Sequence, residues 1–356
     1  MSSLPYLHFT DTITKIGGCL TLSINSFLIW ITVFHIKNIN KGYRKLILSL
    51  AYLEILFSIP EWVEQPFVHC YNSSLSYFTI DPVLGASKSL KFWILMSISG
   101  LYSLLICLIA VQFFYRFLLI TGADKKVLKA VEYWYWAYCA FWSVFWMFGY
   151  YQCVADKETE DYLREEMIRE YGSDVEEMAG FFYVIYDPNG NYRWKTLLCV
   201  AIMSLVLGFQ YLIIIISGYK IHRKIHSAGL KISQKAQKMQ KQLFKTLIFQ
   251  TLTPFLFHHI PAFVLLILLF LDLKISIPSG FVVCFYSLFP PIDSIILMTL
   301  VTEYRFVMKK KFQVHLAKLL KWANSFITDK EGETVETVDI KCSSADTYVI
   351  SQSTNQ

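Results

Sequence analysis

The chain has 356 residues, 55% of them hydrophobic and 17% charged, with a formal charge of +6 and a mean hydropathy of +0.43. A soluble domain carries about 25% charged residues, and a soluble chain this apolar would expose patches that drive association. The positive charge is spread over short segments between hydrophobic runs, which excludes a nucleic-acid patch and reads as membrane topology.

A spanning helix needs about 20 mostly apolar residues. Seven such runs lie near 13–36, 46–67, 92–116, 131–152, 194–218, 245–271 and 279–301. The reading is an all-α membrane protein, a seven-transmembrane helix bundle over 1–306. The first eleven residues carry no Lys or Arg, so span one is expected to serve as its own signal anchor without a cleaved leader. The fourth run, YWYWAYCAFWSVFWMFGYY, places Trp and Tyr where they suit both membrane interfaces. The 152–195 loop is acidic, and its Leu163, Met167 and Tyr171 recur every four residues, predicting a short amphipathic helix ending at Gly172. Span six holds Pro254 and Pro261, and span seven holds Pro291, each a candidate kink. After span seven an amphipathic basic juxtamembrane helix is expected over 307–324, then a disordered cytoplasmic tail over 325–356.

Basic residues set the expected orientation. The segments after spans one, three, five and seven hold 22 of the 33 Lys and Arg, and those on the other face hold nine. The positive-inside rule then puts the N-terminus outside and the C-terminus in the cytoplasm. Asn72 opens an Asn-Ser-Ser glycosylation sequon on the outer face. The eight cysteines show no metal-binding spacing. Cys70 and Cys153 fall just outside spans on that same face, where they either pair as a disulfide or remain free.

Polar groups inside spans are costly and are functional candidates by default. Asn25, Glu54 and Asp293 lie on three different spans, each roughly 10–12 Å from the inner face at the α-helical rise. They form either one buried polar network that switches between helix packings or three separately satisfied groups. Glu61 and Glu64 follow nearer the outer face, where they either meet ligand or water in an outer cavity or are simply interfacial. His258 and His259 are adjacent in span six, and neighbouring helical positions diverge by about 100°, so one of the two at most is expected to face a central pocket. Their spacing does not suit zinc. No GxSxG, HExxH or Walker A segment occurs, so neither enzyme activity nor a cofactor is expected.

Five segments together resemble the nematode seven-transmembrane chemoreceptors of the Str superfamily: GYRKLILSLAYLEILFS at 42–58, QFFYRF at 112–117, DYLREEMIREY at 161–171, QKMQKQLFKTLIFQTLTPFLFHHIP at 237–261 and FPPIDSIILMTLVTEYR at 289–305. The resemblance implies a G protein-coupled chemosensory receptor that binds a small environmental odorant and activates a heterotrimeric G protein. It also implies a place in the plasma membrane, in the cilium of chemosensory neurons. Glu54, Tyr115-Arg116 and Pro291 with Asp293 match positions of the family pattern. In rhodopsin-like receptors an acid precedes the arginine, a Trp precedes the span-six proline, and span seven carries Asn-Pro. This chain has Tyr115 before Arg116, no such Trp, and Pro-Pro-Ile-Asp, so those receptors' switch parts cannot be assumed. By depth, Trp93, Ser97, His258, His259, Phe285 and Tyr286 are candidate ligand contacts. Tyr115, Arg116, Lys238 and Lys241 are candidates to face the G protein, the lysines also being explained by topology and lipid headgroups alone. The rival readings are a seven-span ligand-gated channel of inverted topology and a transporter. A transporter would usually show repeated halves.

Overall fold

The computed structural model describes residues 4–37, 39–80, 87–226 and 234–331. Their order is α1 (Leu4–Phe34), α2 (Lys41–Glu64), β1 (Phe67–Tyr71), β2 (Ser74–Thr79), α3 (Lys88–Thr121), α4 (Lys125–Tyr151), α5 (Lys157–Tyr171), β3 (Ala179–Val184), α6 (Trp194–His226), α7 (Gln234–Pro254), α8 (Ile260–Leu271), β4 (Ser276–Pro278), α9 (Phe281–Leu300) and α10 (Thr302–Glu331). A single π-helical turn, Phe255–His259, joins α7 to α8, and the three form span six. Two compact units follow from the packing, Met1–Val307 and Met308–Gln356. In the second, the described residues continue α10 to Glu331, so 325–331 are helical, and the rest of the expected tail lies outside the described residues.

Among the described residues, six helices are long and apolar enough to cross a membrane. The seventh is α4, 27 residues long, whose Trp and Tyr side chains lower its average hydropathy while suiting the membrane interfaces. The chain signals helix ends with local chemistry. Asn40 caps α2 by accepting from the backbone N–H groups of Gly42 and Tyr43 at 2.9 and 3.2 Å. Gly172 ends α5 in the left-handed region, at φ 72°. α3 is the central helix, with 78% of its apolar window buried against 22% for span six. It packs on α2, α4 and α6, while α1 packs on α2 and α9, and α7 on α9.

The sequence reading anticipated no strands, yet four form one antiparallel sheet in the order β3-β2-β1-β4. Asn72, at φ 48°, turns the β1–β2 hairpin, a conformation that Asn tolerates well. The sheet closes one end of the bundle: Thr79 donates to the Glu64 carbonyl at the end of α2, and Thr196 of α6 donates to the Val184 carbonyl. On the far side of the sheet lies α5. Its Leu163, Met167 and Tyr171 pack against Phe67, Phe78 and Phe182, each buried side chain contributing about 1.5–3 kcal/mol. Asp156 caps α5 and also accepts from Arg193 just before α6, at 2.6 Å. The sheet and α5 are thereby fastened to the bundle as a two-layer roof.

Cys70 and Cys153 are both buried and unbridged. The Cys153 carbonyl accepts from Phe182 on β3, and β3 is separated from the β1 strand of Cys70 by β2. At least two strand spacings, about 10 Å, divide them, beyond the ~7 Å that a disulfide tolerates between Cα atoms. Cys153 meets the Cys199 thiol instead.

Candidate functional site

Beneath the sheet lies a cavity of about 500 Å³. Ser99 and Tyr102 of α3, Trp146 and Tyr150 of α4, Ser204 and Tyr211 of α6, His258 and His259 of span six, and Tyr286 of α9 are among its lining residues. Val68, Leu75, Tyr77 and Tyr183 line it from the sheet side. Among the described residues no acid, lysine or arginine lines it.

Its polar groups are tied together. Tyr102 Oη meets His259 Nε2 at 2.7 Å, and Tyr211 Oη meets His259 Nδ1 at 2.9 Å. Tyr286 Oη meets His258 Nε2 at 2.8 Å, whereas His258 Nδ1 is buried with no partner. Both histidines line the cavity, against the expectation that their divergence would leave one turned away. They sit in the π-helical turn after Pro254, where the extra residue breaks the regular helical angle between successive side chains.

Of the other expected contacts, Tyr286 lines the cavity, while Trp93, Ser97 and Phe285 do not. Trp93 is 58% exposed on the outside of α3. The Ser97 hydroxyl bonds back to the Ile94 carbonyl of its own helix, and Phe285 packs on Phe257. Which helix face turns to the cavity was not readable without the neighbours. Tyr102, Trp146 and Tyr211 were missed. Phenols in mid-span are a usable signal, since a buried Tyr hydroxyl needs a partner as a buried carboxyl does.

One level further from the sheet, Asn25, Glu54 and Asp293 meet, all at most 2% exposed. Ser294 Oγ sits between Asn25 Oδ1 and Glu54 Oε2, and Gln250 Nε2 donates to Asp293 Oδ2 at 2.8 Å. The two carboxyls contact each other, and the oxygens left without another partner are Glu54 Oε1 and Asp293 Oδ1. A proton held between them would satisfy both. Four helices, α1, α2, α7 and α9, therefore converge on one polar knot.

At the end of the bundle away from the sheet, Arg116 is 2% exposed and lies over the Tyr43 ring. Its Nη2 donates to the Gln240 carbonyl at 2.6 Å and to Gln240 Oε1 at 2.7 Å, joining α3 to α7. Neighbouring Tyr115 donates to Glu132 of α4 at 2.7 Å and to the cap residue Asn40 at 3.3 Å. Gln242 of α7 bonds Thr302 at the start of α10. Lys238 and Lys241 are exposed on α7. Pro254 and Pro261 flank the π-helical turn, and Pro290 and Pro291 lie inside α9.

A family model described as serpentine type 7TM GPCR chemoreceptor Str matches residues 10–309. The chain is 34% identical to the G-protein coupled receptor str-33 of Caenorhabditis elegans, over 85% of this chain and 90% of that one. It is 26% identical to the serpentine receptor class r-10 of Caenorhabditis briggsae, over 90% and 96% respectively. In fold it is similar to squid rhodopsin, with a TM-score of 0.57 at 16% identity over 88% of this chain and 87% of that one.

Proposed function

The chain belongs to the Str family of serpentine seven-transmembrane chemoreceptors, and from that premise we propose that it senses a small environmental chemical and passes the signal to a heterotrimeric G protein. The observation that carries this reading is that span six holds both ends of the device. His258 and His259 line the cavity, and Gln240 binds Arg116 on the central helix.

In this reading the sheet end faces outward and α10 lies in the cytoplasm. In the closed packing of this reading Arg116 is covered by Gln240. A ligand moves the equilibrium only if it binds the open packing more tightly. Contact at the π-helical turn re-aims α7 about Pro254, where the missing N–H weakens the helix, and draws Gln240 away from Arg116. The polar knot at Glu54 and Asp293 lies on the path between the two ends. Its several partners on four helices make it a natural two-state joint. Tyr115, Arg116, Lys238 and Lys241 would then meet the G protein, in the plasma membrane of a chemosensory cilium. In this reading Asn72, on the hairpin turn of the outer sheet, carries the glycan.

The test has two parts. Epitope tags at the two termini, read in intact and permeabilised cells, should show the N-terminus outside and the C-terminus inside. Reversed tags would make an inverted-topology channel the better reading. With the orientation established, odorant-dependent nucleotide exchange on a co-expressed Gα should appear, and its absence across broad odorant and Gα panels would remove the coupling claim.

A further inference from the structure

The walls of the cavity are unequal. Toward the sheet it is closed by Val68 and Tyr183, which are 7% and 5% exposed, and behind them stands the second layer formed by α5. Toward the side it is open. Among its lining residues Ile260 is 43% and Phe263 62% exposed, and Ser204 is exposed too. α6 packs against α3, α4 and α7 and touches the π-helical turn through Tyr211, but approaches α8 only slightly.

The depth of this gap decides what faces it. Counted from the helix ends at Trp194 and Leu271, Ser204 lies about 15 Å and Phe263 about 12 Å into the bundle. A hydrocarbon core is about 30 Å thick, so the mouth opens onto lipid tails rather than onto water.

The lining matches such a route. Among the described residues no Asp, Glu, Lys or Arg lines the cavity, so an ion entering it would lose its hydration with no fixed opposite charge to replace it. Two polar atoms of its lining residues are buried without a partner, Nδ1 of His258 and the indole Nε1–H of Trp146. The indole donates only, to a carbonyl or hydroxyl oxygen, whereas the imidazole nitrogen, depending on which of the two carries the proton, donates to such an oxygen or accepts from a hydroxyl.

We propose that the cavity is loaded from the bilayer, through the gap between α6 and α8 at Ser204, Ile260 and Phe263, and that it takes an uncharged lipophilic molecule bearing a hydroxyl or carbonyl. This deepens the receptor reading and rests on it for its biological sense, although occupancy of the cavity is measurable without any G protein.

The probe is 3-azioctanol, an uncharged photoreactive alcohol, applied to the full chain in lipid nanodiscs, with adducts mapped by mass spectrometry. Adducts are expected on Tyr102, Trp146 and Tyr211. Octan-1-ol should displace them, and octanoate and octylammonium should not. Ser204→Trp, which fills the mouth, should slow labelling roughly tenfold, and Phe263→Ala, which widens it, should speed labelling. If Ser204→Trp does not fold, Phe263→Ala alone carries the kinetic test. Adducts confined to outward-facing residues such as Leu205 and Phe209, or equal competition by octanoate, would overturn the ligand class. Labelling rates unmoved by Phe263→Ala but raised by Tyr77→Ala would overturn the route and place entry through the sheet. Normal cavity labelling in a protein that never drives nucleotide exchange would sink the receptor reading and leave this inference standing.

Discussion

His69 of β1 and Glu166 of α5 face each other at 3.4 Å, Nε2 to Oε1, with side chains 0% and 1% exposed. Tyr171 holds the other imidazole nitrogen at 2.9 Å, Ser276 of β4 donates to Glu166 at 2.6 Å, and Arg169 bonds Glu166 from the solvent side. This cluster ties the sheet to α5. Burial pushes the His69 imidazole below its ordinary value of 6.5, with Glu166 and Glu170 pulling it upward and Arg169 downward. The folded protein therefore takes up this proton later than the unfolded chain does as pH falls. Stability should be full above pH 6.5 and decline below it, by up to about 1.4 kcal/mol per pH unit, until the folded imidazole is itself protonated. Hydrogen exchange in β1 and α5 between pH 7.5 and 5 should show the loss, and His69→Gln should flatten it. An identical pH slope in His69→Gln would rule out this histidine as the cause.

Gln240→Ala should raise signalling in the absence of ligand. The substitution removes one of the two oxygens that Arg116 binds, and a hydrogen bond to a charged group contributes about 1.5–3 kcal/mol. Because only the closed packing loses it, the open fraction should rise at least roughly tenfold. Nucleotide exchange on purified Gα without ligand measures this. Unchanged basal exchange with intact expression would mean that the Arg116–Gln240 contact is not a latch.

Glu54→Ala should cost about 2–4 kcal/mol of stability, since it leaves a void and strips Asp293 and Ser294 of a partner. Glu54→Gln keeps the shape and can donate to Asp293, so it should cost much less. Thermal unfolding in nanodiscs separates the two. Equal losses would show that the carboxyl is valued for its charge rather than for its hydrogen bonds.

Gly42 lies where any Cβ would collide with Tyr115 Oη and Glu132 Oε1. Gly42→Ala should force that bond apart and destabilise the junction of α2, α3 and α4 by about 1–3 kcal/mol. Removing the phenol oxygen makes room, so Tyr115→Phe should cost less when added to Gly42→Ala than when made in the native chain. Strict additivity in the double-mutant cycle would contradict the close approach.

The readable parts of this molecule are those governed by one helix at a time. Leu163, Met167 and Tyr171 at four-residue spacing, ended by Gly172, announced α5, because the 3.6-residue period and the glycine cap are both local. The shared depth of Asn25, Glu54 and Asp293 was readable from the helical rise, and the three do meet. Strand β3 left no such mark. All six of its residues are buried because both faces are covered, so the alternation that betrays a strand is missing. The partners Ser294, Gln250 and Gln240 are uncharged, and nothing in a single helix distinguishes them from ordinary polar positions.

By itself, then, the order of residues determined the spans and the shared level of Asn25, Glu54 and Asp293, because hydrophobic length and helical rise act along the chain, while its motifs carried the family resemblance. Only the tertiary structure decided which faces of those spans turn inward. It turned Trp93 outward and Tyr102 inward, kept Cys70 and Cys153 apart across the sheet, set both His258 and His259 against the cavity through a π-helical turn, and left the cavity open toward α6. Those outcomes depend on helix rotation and on contacts between residues more than 100 positions apart, such as Arg116 with Gln240, which only simultaneous packing of all the elements resolves.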